Sequence, residues 1–447
     1  MLNRITGKLK SKNFLSLAGN ASMSVFSVIT YALLFRVLSE EEMGNWVFFQ
    51  FAVIFFETFR TGFLQSAIIV FFPGAGKSQE DKIAGSAWYL GLMITFAFAL
   101  LNLLVYFGIQ FYEINDPGLI ILINWFGISL LASFPFNIST WISQASERFD
   151  HILYVRIINQ GSFIVFVFSL FFFAEVTLLT VVYANLASFF LTSLVTMITG
   201  WARVDTIKNK TTEGIKTIFN YGKYSVGTVL SSNLLKSSDS FIIKAMLGPA
   251  ALAIYNVPQR LMEIIEVPLR SFVATAMPRM SAFYNQGNKE KVTEIMKKNA
   301  GLLSLMLVPV AIVAFVLADY IVLIIGGEKY YGTEAGNLFR IFMVFGIFLP
   351  IDRFLGITLD MINRPKLNLI KVIIMLSVNV VGDIGGILLF ENLYVVAWVS
   401  IFTFLAGIAF GYKALRQYLA FTLNDIVSHG YSELRLFINT KLKKEKV

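Results

Sequence analysis

Charged side chains set at helical spacing inside apolar runs are the residues of this chain best placed to do chemistry. Glu57 and Arg60 stand three apart, as do Lys236 and Asp239, and positions three or four apart share one face of a helix. Arg260, Glu263, Glu266 and Arg270 fall within an arc of roughly 120° at the helical 100° per residue. A charge at the centre of a spanning helix costs about 2.5–3.5 kcal/mol on insertion scales, so these groups are expected to face partners or a wet cavity. Opposite charges could equally pair only to join helices, a reading as good as the functional one for Glu57–Arg60 and Lys236–Asp239. The four-charge stripe favours a water-filled lumen. Asp383 also lies at depth, while Arg340, Asp352 and Arg353 share another apolar run.

The elements that carry these charges are membrane helices. The chain is 56% hydrophobic and 15% charged, with mean hydropathy +0.70, against about 25% charged in soluble proteins. Apolar runs of spanning length fall at 14–37, 45–72, 84–110, 118–142, 152–174, 176–199, 222–247, 251–278, 300–326, 335–360, 367–390 and 394–415. They are continuous rather than alternating, which indicates helices and not barrel strands. The expected fold is all-α: a polytopic membrane protein of about twelve transmembrane helices in two six-helix bundles.

Loop charge gives an orientation. Alternate loops carry most of the basic residues, among them Lys77, Arg148, Lys208, Lys210, Arg279, Lys297 and Arg364, and the tail adds Arg435, Lys441 and Lys443. The opposite loops carry Glu40, Glu41, Glu42, Glu113, Asp116, Asp319 and Glu328 with only Arg36 and Lys329. Both termini are therefore expected in the cytoplasm. The basic stretches 200–222 and 279–299 read as helices lying on the membrane surface. Arg4, Lys8, Lys10 and Lys12 precede a run too long for a signal peptide, which reads as an uncleaved first span.

An internal repeat divides the chain into 1–205 and 206–447, the second with a basic tail. One offset brings Trp46 onto Tyr255, Gln50 onto Gln259 and Glu57 onto Glu266. Six spans per half make the repeat parallel, with a site expected between the halves.

Several function classes are excluded or disfavoured. There is no cysteine, and His151 and His429 are the two histidines, so no thiolate or histidine metal cluster is expected. The net charge of +9 belongs to the loops; nucleic-acid-binding signatures are lacking. No Walker or dinucleotide motif occurs, which argues against a nucleotide-driven pump. Every acidic-side loop is short, which argues against a membrane polymerase or ligase.

Ser238-Asp239-Ser240-Phe241-Ile242-Ile243-Lys244-Ala245-Met246-Leu247-Gly248, followed by Leu252-Ala253-Ile254-Tyr255-Asn256-Val257, resembles the Asp-bearing seventh span and "lGxY" turn of the polysaccharide-biosynthesis flippases. These are the O-antigen or Wzx type of the multidrug/oligosaccharidyl-lipid/polysaccharide exporter superfamily. Ala276-Met277-Pro278-Arg279 and Gly44-Asn45-Trp46 are similar as well. The resemblance implies two bundles around a cavity lined by spans one, two, seven and eight. It also implies a polyprenyl-diphosphate-linked oligosaccharide as substrate, carried by alternating access across a bacterial inner membrane, with glycosyltransferases and a polymerase as partners. On that reading Arg60, Lys236, Arg260 and Arg270 meet the diphosphate, and Asn20, Ser24 and Ser27 meet sugar. Glu57, Asp239, Glu263 and Glu266 would couple or gate, the Glu263–Glu266 pair taking a proton or sodium ion; no resident cofactor or metal is expected. The related lipid II flippases carry charges in the first span, whereas residues 14–35 hold none. A multidrug antiporter is the alternative within the superfamily, and the basic lumenal residues argue against it.

Overall fold

The computed structural model describes residues 12–72, 76–109, 115–173 and 175–444. Helices dominate, and no strand occurs among the described residues. Contacts divide the chain into two compact units, Met1–Ser237 and Ser238–Val447.

The first unit contains α1 (Lys12–Val37), α2 (Glu40–Arg60), α3 (Ser66–Phe71), α4 (Lys77–Ile109), α5 (Pro117–Ala145), α6 (Phe149–Phe173) and α7 (Leu178–Ile198), and most of α8 (Thr212–Leu247). A π turn, Thr61–Gln65, joins α2 to α3. Helix starts are fixed by side chains that satisfy the otherwise orphaned N–H groups. Ser39 Oγ accepts from the Glu42 N–H at 3.1 Å, and the Ser39 N–H donates back to Glu42 at 3.1 Å, a capping box. The other Glu42 oxygen accepts from the Leu178 N–H at 3.1 Å. An acid that the sequence marks only as loop charge thus serves the starts of both α2 and α7.

The second unit holds the end of α8, then α9 (Pro249–Asn285), α10 (Lys289–Val316), α11 (Ala318–Gly326), α12 (Glu334–Gly346), α13 (Leu349–Met361), α14 (Pro365–Phe390), α15 (Tyr394–Leu415) and α16 (Leu423–Lys444). Between α8 and α9 the chain turns at Gly248, whose φ of 90° suits glycine and strains other residues. Pro249 then starts α9, where its missing N–H is harmless. The helix pair α12–α13 bends by 46°. The start of α16 is capped by Asp425, which accepts from the Thr422 N–H at 2.7 Å; that bond holds the Asp425 carboxyl below its ordinary range.

Each expected run falls on helix where the structure describes it, and length and composition alone do not fix the count at twelve. Eight described helices are long and apolar enough to cross a membrane, nine when the bent α12–α13 pair is taken as one span. The 36-residue α8 and 37-residue α9 do not meet that test because polar and charged residues interrupt them. The apolar part of α1 among the described residues is the short stretch Val25–Val37. Large apolar side chains face outward, as on a protein dissolved in lipid: Phe172 is 69% exposed and Phe173 88% on α6, and Leu389 79% on α14.

The expected surface helix over 200–222 is replaced by two features. Val204–Asn209 forms a 3-10 turn, and α8 then runs unbroken from Thr212. The turn is held on α4 because Gly85 lets the Thr206 carbonyl approach, a Cβ there meeting it at 2.0 Å. Trp88 Nε1 also donates to the Ala202 carbonyl at 2.7 Å. Likewise 279–299 is the end of α9 and the start of α10.

Candidate functional site

In the first unit, Glu57 and Arg60 form the centre of a closed network. Arg60 is fully buried, at 0% exposure. Its Nε donates to Glu57 at 2.9 Å and its Nη2 donates to the other Glu57 oxygen. The remaining N–H groups reach Thr95 Oγ1 at 3.0 Å, the Leu130 carbonyl at 2.7 Å and Ser133 Oγ at 2.8 Å. Glu57 also accepts from Asn137 Nδ2 at 3.2 Å. A guanidinium has five donors, and all five are engaged by the protein. The pair joins α2 to α4 and α5.

The stripe on α9 is more open. Arg260 Nη1 donates to Glu263 at 2.7 Å, their side chains 13% and 40% exposed. Arg260 Nε reaches Asn256 Oδ1 at 3.3 Å. Arg270 pairs with Glu266 at 2.9 Å and is 60% exposed. Each glutamate therefore has its own arginine rather than sharing a site with the other. On α8, Lys236 is exposed. Ser27 is half-buried on α1, whereas the side chains of Asn20 and Ser24 lie outside the described ones.

A third cluster lies in the second unit, where Asp239 from α8, Tyr255 from α9 and Asn379 and Asp383 from α14 converge. The Tyr255 hydroxyl donates to Asp239 at 2.8 Å. Ser238 Oγ donates to Asn379 Oδ1 at 2.7 Å, which directs the Asn379 amide group toward Asp239. Asp383 is wholly buried, and neither carboxyl oxygen meets a donor; its neighbour is the Asp239 carboxyl. Two acids in contact away from water are poorly compensated unless a cation, a proton included, joins them. The cluster can therefore hold a small monovalent cation on carboxylate, amide and hydroxyl oxygens.

Only Asp239 of this cluster stood among the expected site residues. The missed signal was a stripe. Lys371, Met375, Asn379 and Asp383 recur every fourth residue on α14 and are all buried, which places two charges and an amide on one inward face. Lower on that face Lys371 pairs with Asp352 of α13 at 2.6 Å. Gly407 of α15 makes room there: a Cβ would stand 2.6 Å from Asp352 Oδ1 and 2.5 Å from Met375 Sδ.

Comparison with known proteins agrees with this architecture. A "probable low-salt glycan biosynthesis flippase", Agl15 of Haloferax volcanii, is 23% identical over 193 residues, 42% of this chain. The match spans 40% of that relative's length. Among solved structures, the lipid II flippase MurJ in an inward closed conformation is similar with a TM-score of 0.73 and 14% identity, over 96% of this chain and 93% of that one. An inward-facing multidrug resistance MATE family transporter of the MOP superfamily gives 0.68 at 16% identity, over 92% of this chain and 100% of that one. A MOP superfamily transporter from Pyrococcus furiosus gives 0.63 at 16% identity, covering 91% of this chain and 96% of that one. These likenesses establish the fold as that of MATE and MurJ. The profile described as "Polysaccharide biosynthesis protein" matches residues 33–334, more than half of the chain, and the protein belongs to that family.

Proposed function

We propose that this protein is a flippase that moves a polyprenyl-diphosphate-linked oligosaccharide across a bacterial inner membrane for surface polysaccharide synthesis, driven by a monovalent cation. The match to the polysaccharide biosynthesis family across residues 33–334, on a multi-pass membrane fold, carries this reading. Two bundles corresponding to 1–205 and 206–447 alternate access to the headgroup, with both termini cytoplasmic. Glycosyltransferases supply the substrate and a polymerase consumes it.

Among the cations, Lys236, Arg260 and Arg270 are the better diphosphate ligands, since each is at least partly exposed. Arg60 acts by holding α2, because its donors are spent on protein. Asp239 and Asp383 supply coupling, in place of Glu263 and Glu266, whose charges their own arginines balance. A cation that binds one access state better shifts the equilibrium between states by that difference in affinity.

Uptake of a fluorescent undecaprenyl-diphosphate sugar into proteoliposomes tests this. Wild type should respond to an imposed sodium or proton gradient, Asp383→Asn should lose the response, and Glu266→Gln should keep it. If wild-type protein moves none of the labelled lipid, the flippase reading is wrong; if Asp383→Asn keeps the full gradient response, coupling lies elsewhere.

A further inference from the structure

Helix α16 turns a row of apolar side chains outward. Leu423, Val427 and Tyr431 recur every fourth residue and are 38%, 51% and 63% exposed. At the helical 100° per residue they share an arc of about 80°, and Leu434 and Ile438 extend the same spacing. The packed face is a different one. Ile426 is 1% exposed, and Gly430 stands so close to α10 that a Cβ there would meet the Gly301 backbone at 2.3 Å. By the same geometry Asp425 and His429 lie on the side of α16 opposite the exposed arc.

The contact with α10 fixes where that arc points. Lys297 and Lys298 are the last charges of α10 before a stretch from Asn299 to Ala318 that holds none. Gly301 lies about 4.5 Å along the axis from Lys298, at the level where α10 enters the apolar phase. Gly430 meets α10 at that level, and Lys298 pairs with Glu433 at 2.7 Å. Asp425 is within electrostatic reach of Lys297, and His429 of Glu294, so the polar side of α16 faces the charged beginning of α10. The apolar arc on the other side faces the depth at which α10 itself turns Met306 and Val310 outward, 41% and 49% exposed. An apolar face held at that depth meets lipid, as on a helix lying in the membrane interface.

Charge complements this placement. Asp425 is taken up in capping the Thr422 N–H, and Glu433 by Lys298. Beyond Glu433 the sequence holds Arg435, Lys441, Lys443, Lys444 and Lys446 against one acid, Glu445. Near the start of α16, Arg364 lies over the Tyr418 ring at 4.7 Å and Arg416 over that of Tyr412 at 5.5 Å. Both arginines are exposed, and both tyrosines pack on the hydrophobic cluster that contains Ile426. Basic side chains beside a membrane are drawn to anionic headgroups. We infer that α16 is an interfacial helix that docks on anionic phospholipid, its Leu423–Val427–Tyr431 face at the acyl boundary and its basic residues on the headgroups. With both termini cytoplasmic, the leaflet is the inner one. The surface-helix role expected of 200–222 and 279–299 thus falls to α16.

The chain has no cysteine, so Val427→Cys, Tyr431→Cys and Ser432→Cys can each carry a single NBD fluorophore on the full-length protein. In vesicles of equimolar phosphatidylglycerol and phosphatidylcholine, each probe is challenged with spin-labelled lipid and with aqueous iodide. These readings need no transport and so stand apart from the flippase proposal. The probes at Val427 and Tyr431 should be quenched by lipid, and the probe at Ser432 by iodide. A spin label on phosphatidylglycerol should quench the Tyr431→Cys probe about twofold or more over the same label on phosphatidylcholine. Replacing Lys441, Lys443, Lys444 and Lys446 by Gln should remove that preference. Equal quenching by the two lipids, or a preference that survives the lysine replacement, overturns the anionic assignment. Quenching at Tyr431 by iodide alone places the face in water, and quenching by neither agent places it against protein, such as a second copy; either result overturns the inference.

Discussion

At the scale of single residues, burial separates charges that hold helices from charges that can meet a ligand. Arg60 and Arg260 look alike in sequence, each three residues from a glutamate. Arg60 is at 0% exposure with every donor used, whereas the side chain of Arg260 is 13% exposed and that of its glutamate 40%. Removing one member of a buried pair leaves the other uncompensated, at a cost of about 3–5 kcal/mol. Arg60→Ala should therefore lower the melting temperature and folded yield of detergent-purified protein. Arg60→Lys should do the same, since an ammonium cannot reproduce the guanidinium fork. Arg260→Ala should fold like wild type and reduce lipid transport at least tenfold. Wild-type stability of Arg60→Ala together with lost transport would return Arg60 to the diphosphate site.

At the scale of elements, the π turn after Arg60 seats α8 on the helices before it. The turn presents Gly62 to α8, where a Cβ would stand 2.8 Å from the Val226 Cα. Phe63 packs against Phe219 with ring centroids 5.8 Å apart, and Phe71 against Tyr221 at 5.5 Å. The early part of α8 thus rests on the π turn and α3. Because the chain has no cysteine, a Phe63→Cys/Phe219→Cys double variant needs no further background changes. A short bifunctional thiol reagent should cross-link it in membranes and stop transport, and a thiol-cleavable linker should restore transport on reduction. Failure to cross-link would show that the two segments are not seated this way. In the second unit, α16 lies against α10 through Gly301 and Gly430, where a Cβ on Gly430 would come within 2.3 Å of the Gly301 backbone. Lys298 adds an ion pair to Glu433 at 2.7 Å. Backbone cannot yield as a side-chain tip can, so Gly430→Leu should release α16 and speed proteolysis at the C-terminus.

At the scale of the whole molecule, the asymmetry of loop charge predicts an orientation. Basic residues gather in alternate loops, and translocating them outward is disfavoured. A reporter fused after Lys298 should read cytoplasmic and one fused after Glu328 periplasmic; the reverse at either site would undo the topology. The two compact units meet in the chain between Ser237 and Ser238, within α8. This one helix carries both Lys236, a proposed diphosphate ligand, and Asp239, a proposed cation ligand, a single turn apart. Such placement lets occupancy of one site bear on the other through the helix itself.

The sequence alone determined the solvent and the helical class. Hydropathy and charge are properties of consecutive residues, and a spanning helix satisfies its backbone hydrogen bonds locally. It also marked Glu57, Arg60, Asp239 and the α9 stripe as costly and hence purposeful. It did not reveal the partners, because those depend on which distant helix turns which face toward a given residue. Asp239 has Lys236 nearby in sequence, yet its carboxyl receives the hydroxyl of Tyr255 and borders Asp383 from another helix. Glu263 and Glu266 look like a coupled pair along the chain and are parted by their arginines in space. Tertiary packing decided which charges are already balanced and which still require an ion, since that depends on contacts between segments far apart in the chain.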